Sequence, residues 1–211
     1  MKGLKQLSFS VLMTMLSGFG IYLCANLFPN SQVLSWSSMT IHGIILMFYF
    51  HILHETVHRT AFASKWLNDT VALLCGLITS RGALHYRYYH YAHHRFTGDS
   101  TKDPELANSW IDPNITTFPG YLLYLSGVPF WVDRVLSLSK YCLGQTQHVP
   151  YLISPRARGQ VCWEARAYCL IYVLIILRSR QLGCVDLVVK YWLLPSLLGG
   201  SSYQGYQGYH K

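Results

Sequence analysis

Hydrophobic positions gather into long runs near both ends of the chain and into short, interrupted patches in its middle. Residues 8–28, SFSVLMTMLSGFGIYLCANLF, carry no charge and reach the roughly 20 residues a helix needs to cross a bilayer. Residues 33–53, VLSWSSMTIHGIILMFYFHIL, match them except for His42 and His51. Towards the other end, 161–177 and 182–198 are also apolar but are punctuated by Glu164, Arg166, Asp186 and Lys190. The runs at 71–79 and 119–131 are too short to span and read as interfacial or re-entrant pieces. The pattern predicts an all-α integral membrane protein with about four transmembrane helices. A hydrophobic hairpin (8–53) is followed by a polar, aromatic middle (54–160) that forms a helical cap, then by a second hairpin (161–199). Residues 200–211 repeat Y-Q-G without apolar periodicity, which predicts a disordered tail after a membrane domain over 1–199.

Composition agrees. The chain is 51% hydrophobic and 12% charged, with a mean hydropathy of +0.21, where a soluble domain carries about 25% charged residues. Lys2 and Lys5 give the first run the basic flank of a signal peptide. Its apolar stretch is about twice the usual 7 to 15 residues, so a retained span is the better reading. The six cysteines form no C-x-x-C pair and fall mostly in apolar runs, as small buried hydrophobes do.

The formal charge of +8 suits an anionic membrane face or an acidic partner, with no nucleic acid, because the bases are scattered among aromatics beside membrane segments. Ten of the 17 Lys and Arg residues lie between 54 and 160, so the positive-inside tendency puts the cap in the cytosol. The N-terminus falls on the same side after two crossings. Arg178 and Arg180, in the turn of the second hairpin, run against this orientation.

Seven of the ten histidines fall between 51 and 94. His54 and His58 are four apart and share a helical face with His51, one turn earlier. His90, His93 and His94 stand at i, i+3 and i+4, again on one face. Isolated histidines such as His42 and His148 read as ordinary core or surface residues. Two clusters with ligand spacing at a membrane boundary read as a metal site, since ionisable groups there are costly.

HETVH, residues 54–58, also spells the H-E-x-x-H of a zinc peptidase, with Glu55 as base. Such a site needs three protein ligands and an open position, which leaves the second cluster in surplus. A pair of iron ions absorbs five or more histidines readily.

HETVHRTAF followed by HYAHHRFTGDSTKDPEL resembles the first two histidine boxes of the membrane fatty acid desaturases, H-x(3-4)-H and H-x-x-H-H. The trailing Asp103-Pro104-Glu105, the SPRARGQVCWEARAYCLIYVLII stretch and WLLPSLLGG are also similar to that family, over roughly residues 20–199. The resemblance implies a cytosolic di-iron centre, with His54, His58, His90, His93 and His94 as metal ligands. Glu55 would orient a ligand or relay protons. His51 and His85 are further candidates for the ligand set or for the shell around it, and Asp99 and Asp103 for buttressing histidines. The implied activity is O₂-dependent C–H abstraction on an acyl chain in lipid metabolism, with a membrane lipid or acyl substrate. Electrons would come from a separate protein, cytochrome b5 or ferredoxin. The implied location is the endoplasmic reticulum in a eukaryote, or the inner or thylakoid membrane in a bacterium.

One departure bears on activity. The family carries a third box, H/Q-x-x-H-H, beyond the last hairpin, whereas this sequence continues into SSYQGYQGYHK with His210 alone. By family logic the last ligands are missing, and the chain is expected to insert in membranes without desaturating lipids. The alternatives are a related lipid or carotenoid hydroxylase or ketolase, an inactive truncated relative, and the H-E-x-x-H intramembrane zinc peptidase.

Overall fold

The computed structural model describes residues 2–106 and 114–207, and His210 lies outside them. The described residues form nine α-helices and one π-helical turn, with no strand. In chain order these are α1 (Lys2–Leu27), α2 (Gln32–Val57), α3 (Lys65–Ile78), α4 (Ala83–Phe96), α5 (Phe118–Leu125), α6 (Val128–Cys142), α7 (Pro155–Gln181), α8 (Val185–Val188), the π turn (Val189–Leu193) and α9 (Leu194–Gln207).

Local chemistry sets several of the starts. Ser31, Ser64, Thr117 and Ser154 each accept a backbone N–H of the following turn, removing one of the donors that a helix start leaves unpaired. Pro155, at the first position of α7, has no N–H to satisfy there.

Three helices are long and apolar enough to cross a membrane: α1 from Gly3, α2 and α7. The expected fourth span is not among them. Its run is helical but carries Asp186 and Lys190, and a π turn changes its hydrogen-bond register at Val189–Leu193. The short runs at 71–79 and 119–131 fall in α3 and in α5 and α6, which have 8 to 15 residues each. Part of the tail belongs to α9, which runs on to Gln207.

α2 is the hub, with α1, α3 and α9 packed along it. Leu46, Tyr49, Ile52, Leu53 and Val57 of α2 form one buried cluster with Val71, Ala72 and Cys75 of α3 and with Ala83 and Tyr86 of α4. α9 crosses α2 backbone to backbone at Gly43 and Gly199, where a Cβ on either glycine would collide with the opposite main chain. Small residues permit such close approach between membrane helices.

A polar chain joins three elements nearby. His42 Nδ1 lies 2.7 Å from Ser17 Oγ of α1, and Nε2 lies 3.0 Å from the Tyr191 carbonyl in the π turn. A carbonyl only accepts, so Nε2 carries the proton and Nδ1 accepts from the serine hydroxyl. His42 is therefore the core histidine expected of it.

Candidate metal centre

The two histidine boxes occupy the last turn of α2 and the second half of α4. The covalent link between them is long, so the helices must be clamped in space, and polar contacts do this at three levels.

At the end of α2 the Val57 carbonyl has no helical partner. It accepts instead from Arg87 Nε at 3.1 Å and from the Tyr91 hydroxyl at 3.0 Å, both on α4. Beside it, Asp69 of α3 receives Arg59 through two bonds of 3.1 and 2.8 Å and Arg87 at 2.5 Å. Arg59 is the second residue after α2 and adopts a left-handed φ of 59°. One carboxylate thus holds the exit of box one and the helix of box two. Burial opposes ionisation of Asp69, but the hydrogen bonds from Arg59 and Arg87 outweigh it and keep its pKa below the ordinary value.

The start of α4 is fixed from α7. Gly82, its N-cap, offers no side chain, and Glu164 takes that role from another helix. Glu164 accepts the Leu84 N–H at 2.9 and 3.1 Å on its two oxygens and the His85 N–H at 3.3 Å. The acid that interrupts the third apolar run is therefore an N-terminal cap supplied in trans, placed where the helix dipole favours negative charge. Tyr88 adds a second tie to α7, donating to Gln160 Oε1 at 2.7 Å.

So clamped, His54, His58, His90 and His94 converge, each offering a ligand nitrogen within 4.8 Å of the others. His90 Nε2 lies 3.0 Å from both His58 Nε2 and His94 Nε2. Three ring nitrogens aimed at one point cannot satisfy one another, because a neutral imidazole nitrogen holds one proton or one lone pair. A cation would satisfy them together, and imidazole suits iron, zinc and copper.

Electrostatics favour the same state. Burial, then repulsion from the neighbouring histidines, lowers the His90 pKa to about 3. Burial and His54 and His94 lower that of His58. Neutral rings are the form that binds a metal. The buried Nδ1 of His90 has no hydrogen-bond partner among the described residues, and the Tyr86 ring stacks on the His90 ring at 5.1 Å. His94 is exposed, so the cluster is open on one side.

The other expected site residues lie elsewhere. His93 turns away from the four: Nδ1 meets Asp103 at 2.8 Å and Nε2 meets Glu105 at 3.1 Å. Asp103 is buried and also accepts the Gly98 and Glu105 N–H groups. Burial alone would raise its pKa, but these bonds and the one to His93 hold it below the ordinary value. Asp103 therefore buttresses a histidine and caps a loop at once, whereas Asp99 closes a turn onto Thr101 and pairs with Lys102.

Glu55 is exposed and sits 3.5 Å from His54 Nδ1. His51 packs against Phe48 and Phe50, outside the cluster. His85 is buried in a separate polar nest, its Nε2 flanked by the Tyr151 and Tyr141 hydroxyls at 2.7 and 2.8 Å. Burial, with help from Arg81 and Arg134, lowers its pKa to about 3.

Sequence reasoning missed Asp69, Arg87 and Tyr91 and treated Glu164 as an interruption. The signal available was a charge where an apolar or interfacial helix does not need one.

Comparison with known proteins places this arrangement. The sequence model of the Fatty acid desaturase family matches residues 10–210, so the chain belongs to that family. It is 26% identical over 154 residues to a dihydrorhizobitoxine desaturase of Bradyrhizobium elkanii, an overlap of 69% of this chain and 42% of that protein. The matched region thus spans less than half the length of that relative. No solved structure matches.

Proposed function

We propose that this chain is a multi-pass membrane desaturase component whose four converging histidines hold iron at the cytosolic face. The convergence of nitrogens from two separate helices carries the reading. Iron held there would supply the dioxygen chemistry that attacks an unactivated C–H bond.

The remaining steps belong to the chain's own groups. Val57, Asp69, Arg87 and Glu164 keep the two helices in register, so that the lone pairs of His54, His58, His90 and His94 point inward. Glu55 orients His54. The exposed edge at His94 admits the reactants. The family description and the relative's name share one reaction class, desaturation. In that reaction two hydrogens leave adjacent carbons, while O₂ takes four electrons in all, two from the substrate and two from a separate donor protein, cytochrome b5 or a ferredoxin. The substrate class we favour is the acyl chain of a membrane lipid, with the work done in the endoplasmic reticulum of a eukaryote or the inner or thylakoid membrane of a bacterium.

His54, His58, His90 and His94 form one cluster, and His93 stands beside it, held by Asp103 and Glu105. His93 can join a second ion only by releasing Asp103 or Glu105.

Metal analysis of the purified protein tests the assignment. The expected result is iron that is lost with His90→Ala. Stoichiometric zinc undisturbed by that change would overturn it. Expression in a desaturase-deficient yeast, with fatty acid profiling, tests the reaction.

A further inference from the structure

Beside the start of α4, α3 and α7 enclose an open groove of about 660 Å³. Its walls are apolar, formed mainly by Leu73, Leu74 and Leu77 of α3 and by Trp163 and Ile171 of α7. Its polar groups are few and ordered along α7. Arg156 is exposed at the first turn and has no hydrogen-bond or ion-pair partner among the described residues. Gln160 is occupied by Tyr88, and Glu164, deeper in, by the start of α4. The groove is thus charged at its mouth and apolar along its length, from Arg156 to Ile171 about 22 Å at 1.5 Å per residue.

A glycine lies in its wall. Gly159 lines the groove, and a Cβ built there meets nothing within 4 Å. Glycine inside a helix costs about 1 kcal/mol against better helix formers, so its presence is not explained by helix stability.

We propose that this groove binds one phospholipid with an anionic headgroup, its phosphate on Arg156 and one acyl chain between α3 and α7. The proposal rests on the reading that α7 crosses the bilayer with its Arg156 end on the cytosolic side, where the leaflet carries anionic lipid. It does not rest on the identity of the metal. Charge complementarity selects the headgroup, and the length of the groove suits a single chain. Glu164 does not repel the headgroup, because it lies two helical turns deeper and its oxygens already accept N–H groups.

The test is native mass spectrometry of the full chain released from nanodiscs of mixed phosphatidylglycerol and phosphatidylcholine, with cobalt binding measured in parallel. The wild type should retain one phosphatidylglycerol about fivefold over phosphatidylcholine, the preference one arginine near the surface supplies. Arg156→Gln should remove the preference but keep a lipid. Gly159→Leu should narrow the groove and weaken retention of both lipids, in a helix made more favourable by the change. Both variants should bind cobalt as the wild type does, since neither residue touches the histidines. Equal retention of the two lipids by the wild type would overturn the proposal. So would retention unchanged in both variants, or a dimer that Gly159→Leu dissociates, which would show a second copy in the groove. Loss of cobalt binding in the wild type with lipid selectivity intact would overturn the metal reading and leave this one standing.

Discussion

Arg87 reaches Asp69 across 18 residues of sequence with a 2.5 Å charge-assisted bond, and the same guanidinium caps the Val57 carbonyl. Neither belongs to the histidine cluster, yet both tie together the helices that carry it. Asp69→Asn should leave the helices folded but lower metal affinity about 10- to 100-fold, the usual cost of losing a partner outside the ligand shell. Cobalt titration followed by its visible absorption reads this directly. An unchanged affinity would reduce the clamp to a surface ion pair.

The ligands themselves should separate by position. His58→Ala or His90→Ala should cost more than about 100-fold in metal affinity, exceeding any effect outside the ligand shell. His148→Ala should cost nothing. His93→Ala should leave the first metal equivalent in place, because both ring nitrogens are held by carboxylates. Loss of all metal on His93→Ala would show that the ring turns inward when the ion binds.

Acid should expose His85. Its folded pKa is about 3 against an ordinary 6.5, so between those values the unfolded chain binds a proton that the folded one does not. Stability therefore falls as pH drops from 6.5 towards 3, by at most about 1.4 kcal/mol per pH unit. His85→Gln keeps a polar group and removes the titration. Its melting temperature should vary less over that window than the wild type's, and equal slopes would refute the assignment.

The two N-x-T sites differ in what they can report. Asn68 is fully buried, and its amide donates to the Phe62 and Ser64 carbonyls at 2.6 and 2.7 Å. No glycan fits there on either side of a membrane. Asn114 is exposed, so it reports orientation. Expression in a eukaryotic cell should give no glycosidase-sensitive shift, and a shift abolished by Asn114→Gln would invert the topology and move the histidines to the lumen.

Much of this was legible in the residues. The long apolar runs gave α1, α2 and α7, and the i, i+4 spacing of the histidines gave four members of the cluster. What stayed hidden depends on distance in space. Nothing in the apolar run around Glu164 tells that its partner is the uncapped start of α4, some 80 residues earlier. His93 has the same spacing credentials as His90, but the fold of the following loop brings Asp103 and Glu105 to it. The fourth run has the length of a span, and only its backbone reveals the π turn within it.

The π turn has a consequence for how the protein assembles. The π turn presents the Tyr191 carbonyl to His42, 149 residues earlier in the chain. Until residue 191 is synthesised, His42 waits in the first hairpin with only Ser17 to bind. When the last helix arrives, the bond can form at one depth only, since a slide of one turn, about 5.4 Å, carries the carbonyl out of reach. A first hairpin seated one turn too high or too low would therefore leave the His42 Nε2–H without its acceptor.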